Sequence, residues 1–143
     1  MIIKKTLQMA PPTCQILAIL LILFFTSPSS VSCVQIQVNL SNDFTKDNLN
    51  SSCHSITGRD LGKRTMSPGT SFTWTTSEAW CCSLETDFDS ERYGLFYMFN
   101  PKTDSTRCGK ECRWSVRDDG IYLYIADAYD YVFQYKWGIW YCI

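Results

Sequence analysis

Cys108-Gly109-Lys110-Glu111-Cys112 places two cysteines four residues apart, a spacing that suits either half of a metal clip or a disulfide. Structural zinc takes four Cys or His ligands, commonly as two close pairs. The second pair here would have to be Cys81 and Cys82, and adjacent side chains on a strand diverge to opposite faces. The single histidine, His54, sits beside Cys53. A Cys–His nucleophile needs the imidazole in contact with a free thiolate, and strand neighbours are poorly placed for it. Two carboxylate groups, Asp87-Asp89-Glu91 and Asp118-Asp119, raise acid–base hydrolysis of a glycoside. Both fall in polar, turn-like segments and read as solvated loops. There is no glycine-rich phosphate loop and no nucleophile elbow. The residues therefore point to a non-enzymatic protein, and neither a metal nor a cofactor is expected.

Compartment decides the fate of the cysteines. Lys4 and Lys5 precede the apolar run Ile16 to Phe25, and Pro28, Ser30 and Ser32 follow it. This is the three-part layout of a secretory signal peptide. A membrane span needs about 20 apolar residues, and Pro11-Pro12 limits backward extension of this one. Residues 1–32 are thus expected to be the signal, with cleavage after Ser32 or after Cys33. Residues 33–143 are expected to form one secreted domain of roughly 110 residues, near the common domain size. Loss of Lys4 and Lys5 leaves 11 basic residues against 14 acidic, a balance of −3. That sign argues against nucleic acid and against electrostatic attachment to a membrane. In an oxidising compartment disulfides are the default for cysteine.

The elements that must carry these residues follow period two. Val34, Ile36, Val38 and Leu40 alternate with Gln35, Gln37 and Asn39, as in a half-buried strand. The same alternation runs through Phe72 and Trp74; Leu95 to Phe99; Trp114 and Val116; Ile121, Leu123 and Ile125; and Tyr129, Tyr131, Phe133, Tyr135 and Trp137. Gly58-Arg59-Asp60, Ser67-Pro68-Gly69, Asn100-Pro101 and Asp119-Gly120 punctuate the runs. Asp-Gly between alternating strands is a strong hairpin signal. No segment reads as an amphipathic helix, and Asn100 to Arg107 reads as an exposed loop. Short strands with frequent turns predict an all-β fold, a small antiparallel sandwich stapled by disulfides. Most of the Trp and Tyr residues are expected in the core. A sugar-stacking platform would need several rings together on an exposed face.

Once the export segment is gone, Cys53, Cys81, Cys82, Cys108, Cys112 and Cys142 remain, with Cys33 depending on the cut. Sequence does not choose among the pairings that six cysteines allow. Trp80, Cys82 and Leu84 share a face, so Cys82 is expected in a buried bridge with Cys53, Cys108 or Cys112. Cys81 and Cys142 would supply a further bridge, or one of them a pairing between chains. Asn39-Leu40-Ser41 and Asn50-Ser51-Ser52 are sequons, so Asn39 and Asn50 are candidate glycan sites in an exported chain.

Several elements together carry a resemblance. They are the strand Val34 to Leu40; Cys53-His54-Ser55 followed by Asp60-Leu61-Gly62; Pro68-Gly69 with Phe72 and Trp74; Trp80-Cys81-Cys82-Ser83-Leu84; and Cys108, Cys112 and Trp114 with Asp119-Gly120-Ile121-Tyr122. In this order they resemble the plant self-incompatibility S1 family, the S-protein homologues. The segment Ser77 to Cys82 is shorter and more polar than the family pattern, Cys81 stands where an aromatic is expected, and Cys142 lies past the usual end. The resemblance implies a secreted, monomeric β-sandwich with at least two disulfides and no enzymatic activity, acting on a cell-surface receptor. The alternative is a carbohydrate-binding or defence protein of the apoplast. Loops on a rigid scaffold commonly carry recognition. The candidate recognition loops are Asp87 to Tyr93, with Asp87, Asp89 and Glu91; Asn100 to Arg107, with Lys102, Asp104 and Arg107; and Asn42 to Asn48.

Overall fold

The computed structural model describes residues 34–142; the expected signal segment, with Cys14 and Cys33, lies outside them. Nine strands form two sheets. They are β1 (Ile36–Asn42), β2 (Leu49–Ser55), β3 (Asp60–Met66), β4 (Ser71–Thr76), β5 (Trp80–Thr86), β6 (Tyr93–Phe99), β7 (Glu111–Arg117), β8 (Gly120–Ile125) and β9 (Asp130–Tyr135). One sheet has the order β4-β1-β7-β8-β9, the other β3-β2-β5-β6. All neighbours are antiparallel except β1 and β7, which run parallel. Period two sets what each strand buries. Ile36, Val38 and Leu40 of β1 face inward with Trp114, Val116, Ile121 and Leu123 of the same sheet. They form one core with Leu49, Cys53, Trp80, Cys82, Leu84, Phe96 and Met98 of the opposite sheet. The two fully buried tryptophans keep their N–H groups bonded, whereas the Nε1 of Trp74 is buried without a partner. Trp80 Nε1 donates to Thr76 Oγ1 at 2.8 Å, and Trp114 Nε1 donates to the Met98 carbonyl at 2.6 Å.

Two departures from simple alternation matter. In the β8·β9 ladder Ile121 pairs with Tyr135 but Tyr122 pairs with Phe133, so Gln134 is an extra, bulged residue. A one-residue bulge exchanges faces. The run expected on one face, Tyr129 to Trp137, is therefore divided. Tyr135 and Trp137 pack against the core, while Tyr131 and Phe133 stand on the outer face opposite Tyr124 and Tyr122. A second bulge, at Met98 in the β5·β6 ladder, turns Phe99 inward.

The segment Asn100 to Arg107 is not the loop the sequence suggests. Pro101–Arg107 is a helix, α1. Asn100 caps it: its side chain accepts from Lys102 N at 3.1 Å, and Pro101 occupies the first turn, where a missing N–H costs nothing. Asp104 answers by accepting the Asn100 N–H at 2.8 Å. Among the described residues there are three disulfides: Cys53–Cys82 between β2 and β5, Cys108–Cys112 between the end of α1 and β7, and Cys81–Cys142 between β5 and the C-terminal tail. The Cys108–Cys112 pair thus closes on itself, where the sequence reading had offered each as a partner for Cys82.

Candidate functional site

Strand pairing sorts the connections onto two ends. Leu49 lies across from Thr86, and Glu85 from Tyr93, so the β1–β2 and β5–β6 loops share an end with the β7–β8 turn. Ser55 lies across from Trp80, and Trp80 from Phe99, so α1 belongs to the opposite end. The expected recognition residues are therefore split. Asp87, Asp89 and Glu91 sit at the loop end with the Asn42 to Asn48 segment, while Lys102, Asp104 and Arg107 sit at the helix end.

Arg92 organises the loop end. Its Nη1 lies 3.1 Å from Asp47 Oδ2 and 3.0 Å from Asp118 Oδ1, and its Nε lies 3.3 Å from Asp89 Oδ2. The guanidinium also covers the Phe44 ring, 5.6 Å from its centroid. One cation with five rigid donors thereby ties three connections together. Asn42, wholly buried, fastens the β1–β2 loop from beneath and ties it to the end of β3. Its Nδ2 donates to the Asp47 carbonyl at 3.0 Å and the Met66 carbonyl at 2.8 Å, and its Oδ1 accepts from Phe44 N at 3.0 Å. Asp87 accepts from the side-chain amides of Asn48 and Asn50. Between Asp87 and Asp89, Phe88 is 85% exposed. The ring thus stands uncovered on a loop that is pinned at both flanks. Sequence reasoning singled out the acidic residues; its candidate segments took in Arg92, Asn42 and Phe88 without giving any of them a role. The signal available was an aromatic inside a polar turn, Asp87-Phe88-Asp89.

The helix end differs. Asp104 was expected in a recognition loop, but it is 4% exposed and serves the helix cap and Arg107, whose Nη1 lies 3.3 Å away. Arg107 also donates to Gln134 at the β9 bulge. Lys102 remains exposed. Tyr135 reaches across to the other sheet, its hydroxyl donating to the Tyr97 carbonyl at 3.4 Å. Its burial, with Asp104 nearby, pushes the phenol up to about 12.

The other chemical candidates are dispersed. Cys53 is bridged within the core, whereas His54 points outward, 3.8 Å from Asp60. Asp89 and Asp118 are both neutralised by Arg92 rather than poised as an acid–base pair. Asn39 lies on the outer face of the five-stranded sheet, donating to Thr73 Oγ1 at 2.9 Å. Asn50 lies on the outer face of the other sheet, where it also accepts from Thr65 Oγ1 at 2.7 Å. Among the described residues no group of His, Cys, Asp and Glu is arranged to hold a metal ion, and no helix is long and apolar enough to cross a membrane.

The family model for plant self-incompatibility protein S1 matches residues 37–137, which takes in every strand beyond the first residue of β1. The chain belongs to this family. A solved structure described as that of SPH (Self-Incompatibility Protein Homologue) proteins, a widespread family of small, highly stable, secreted proteins from plants, superposes with a TM-score of 0.59. The two share 17% identity over 76% of this chain and 98% of that one, so the likeness is one of fold. A protein from Eubacterium rectale, solved by NMR, matches with a TM-score of 0.43 and 13% identity, over 65% of this chain and 89% of that one. No match was found among the curated proteins. Against the S1 pattern, Cys142 extends this chain's framework. Its bridge to Cys81 holds the tail along β6, where Gly138 N donates to the Tyr93 carbonyl and Tyr141 N to the Leu95 carbonyl, both at 2.8 Å.

Proposed function

We propose that this S1-family chain is a secreted, non-enzymatic protein ligand that acts between cells through a cell-surface receptor, with the loop end as its contact surface. The observation that carries the reading is the family match over residues 37–137. The three disulfides suit an oxidising exterior, and residues 1–32 would supply the export signal. The loop end favours the placement of the contact, because Phe88 stands exposed on a loop that Arg92 fixes to two others. Immobilising an anchor before binding lowers the entropy lost on association. Asp87, Asp89 and Glu91 would frame that anchor with acidic groups, and Lys102 at the helix end would lie outside the contact. Asn39 and Asn50 would carry glycans. The Asn50 glycan would stand next to Asp87, at the margin of the same surface.

The role as a determinant of pollen rejection is tested by adding the pure, oxidised chain to pollen of matched and unmatched genotypes. Arrest of tube growth in one genotype only is the expected result. Equal growth in every pairing removes the incompatibility role and leaves receptor signalling elsewhere to be tested by binding.

A further inference from the structure

The outer face of β7, β8 and β9 carries a layer of rings and guanidinium groups that the receptor reading does not use. Strand register places Tyr124 across from Tyr131 and Tyr122 across from Phe133. Both pairs meet edge to face, with centroids 5.4 Å apart. Arg113 lies 3.9 Å above the Tyr124 ring. Arg117 lies 4.3 Å from Tyr122 and 5.2 Å from Tyr131. This arrangement exists only because the Gln134 bulge sends Tyr131 and Phe133 outward.

The layer is ordered from within. The Tyr122 hydroxyl donates to Asp119 Oδ2 at 2.7 Å, and Arg117 Nε donates to Ser115 Oγ at 2.9 Å. Yet neither Arg113 nor Arg117 forms an ion pair among the described residues, whereas Arg59, Arg92 and Arg107 each do. Two stacked guanidinium groups thus keep donors free for a carboxylate, which they can take two-pronged. They stand four residues apart on one strand, roughly 13 Å, and the three strands span roughly 10 Å.

We propose that this face binds an acidic polysaccharide: a chain of pyranose rings bearing carboxylates, with the carboxylates on Arg113 and Arg117 and the rings against the exposed Phe133 and the edges of the stacked tyrosines. Arg113 and Arg117 follow one another along a single strand, a spacing that suits successive carboxylates of an extended polymer. A protein partner would seek a deep apolar pocket for an anchor, and here the rings are already packed against one another. A nucleic acid would meet a chain of net negative charge and, on this face, two arginines outside any ion pair, too few to sustain phosphate binding. The inference is independent of the receptor reading, since it uses another surface.

The test uses the full secreted chain with N-glycans enzymatically trimmed, and calorimetry with a hexuronate oligomer, its methyl-esterified form and a single-stranded oligonucleotide of equal length. The acid form should bind at least about tenfold more tightly than the ester, because the ester loses the charge-assisted contacts. Arg113→Gln with Arg117→Gln should abolish the preference, and Tyr124→Ser with Tyr131→Ser should weaken acid binding about tenfold. Melting curves establish that each variant is folded. If the glutamine pair does not fold, Arg113→Lys with Arg117→Lys serves, and it should lose several-fold because lysine lacks the planar fork. Lys63→Gln on the other sheet should change nothing. Equal binding of acid and ester, undiminished binding by the arginine variants, or tighter binding of the oligonucleotide overturns the proposal.

Discussion

Replacing Arg92 by methionine keeps an aliphatic stem over Phe44 and removes the charge that joins three connections. The size of the loss follows from the geometry. Arg92 is 24% exposed and its partners Asp47, Asp89 and Asp118 are 24%, 37% and 42% exposed, so each pair counts at the modest value of a surface ion pair. Three pairs at about 0.5 kcal/mol each, with about 0.5 kcal/mol for the cation over Phe44, give about 2 kcal/mol at low ionic strength. Asp47 and Asp118, which now share one nitrogen, would face each other uncompensated, adding in the same direction. Urea unfolding of Arg92→Met and the parent measures the difference. Raising salt from 0.1 M to 1 M shortens the screening length from about 10 Å to about 3 Å, so roughly half of the loss should disappear. Hydrogen exchange should quicken at residues 87–91 before it changes in β5 or β6, because the loop is released while the sheet is not. A loss below about 0.5 kcal/mol, or one that salt leaves unchanged, would refute the view that Arg92 holds this surface together electrostatically.

Other outcomes follow from the same structure. Asn42→Ala should cost about 3 kcal/mol in denaturant unfolding, because it strands the buried Met66 carbonyl and Phe44 N–H and the part-buried Asp47 carbonyl. Tyr135 has a folded-state value of about 12 against 10.0 unfolded, so the folded state holds its proton more tightly. That contribution is complete below pH 10 and lost as pH rises toward 12; melting temperatures across that window should fall less steeply for Tyr135→Phe than for the parent. The double change Cys81→Ser with Cys142→Ser should lower stability by about 2–4 kcal/mol. It also frees the β6 edge from the tail, so gel filtration should show self-association that the parent lacks.

Strand alternation carried the two-layer architecture because the inner positions of β1, β7 and β8 repeat without interruption, as Val38, Leu40, Trp114, Val116, Ile121 and Leu123 do. It failed where one residue changes the phase. Nothing in Phe133-Gln134-Tyr135 announces a bulge, so five aromatics that look like one face became two. The helix was hidden for another reason. Asn-Pro reads equally as a turn and as a cap with its first helical residue, and seven residues are too few to display a helical period. Asp104 shows the consequence: its acidity suggested solvent, while its place in the cap put it in the interior. At the loop end the acidic residues were legible singly, but their convergence on Arg92 depends on contacts as distant as 45 residues along the chain, which no local pattern reports. The parallel pairing of β1 with β7 was invisible for the same reason.

On the proposed function, a receptor on another cell meets the loop end, with Phe88 as the anchor. Binding of the labelled chain to wall-free pollen protoplasts, which removes polysaccharide as a competitor, tests it most directly. Phe88→Ala should weaken saturable binding at least about tenfold, with melting unchanged because the ring touches little of its own protein, while Lys102→Ala at the helix end should bind as the parent does. Full binding by Phe88→Ala, or a loss confined to Lys102→Ala, would contradict the account.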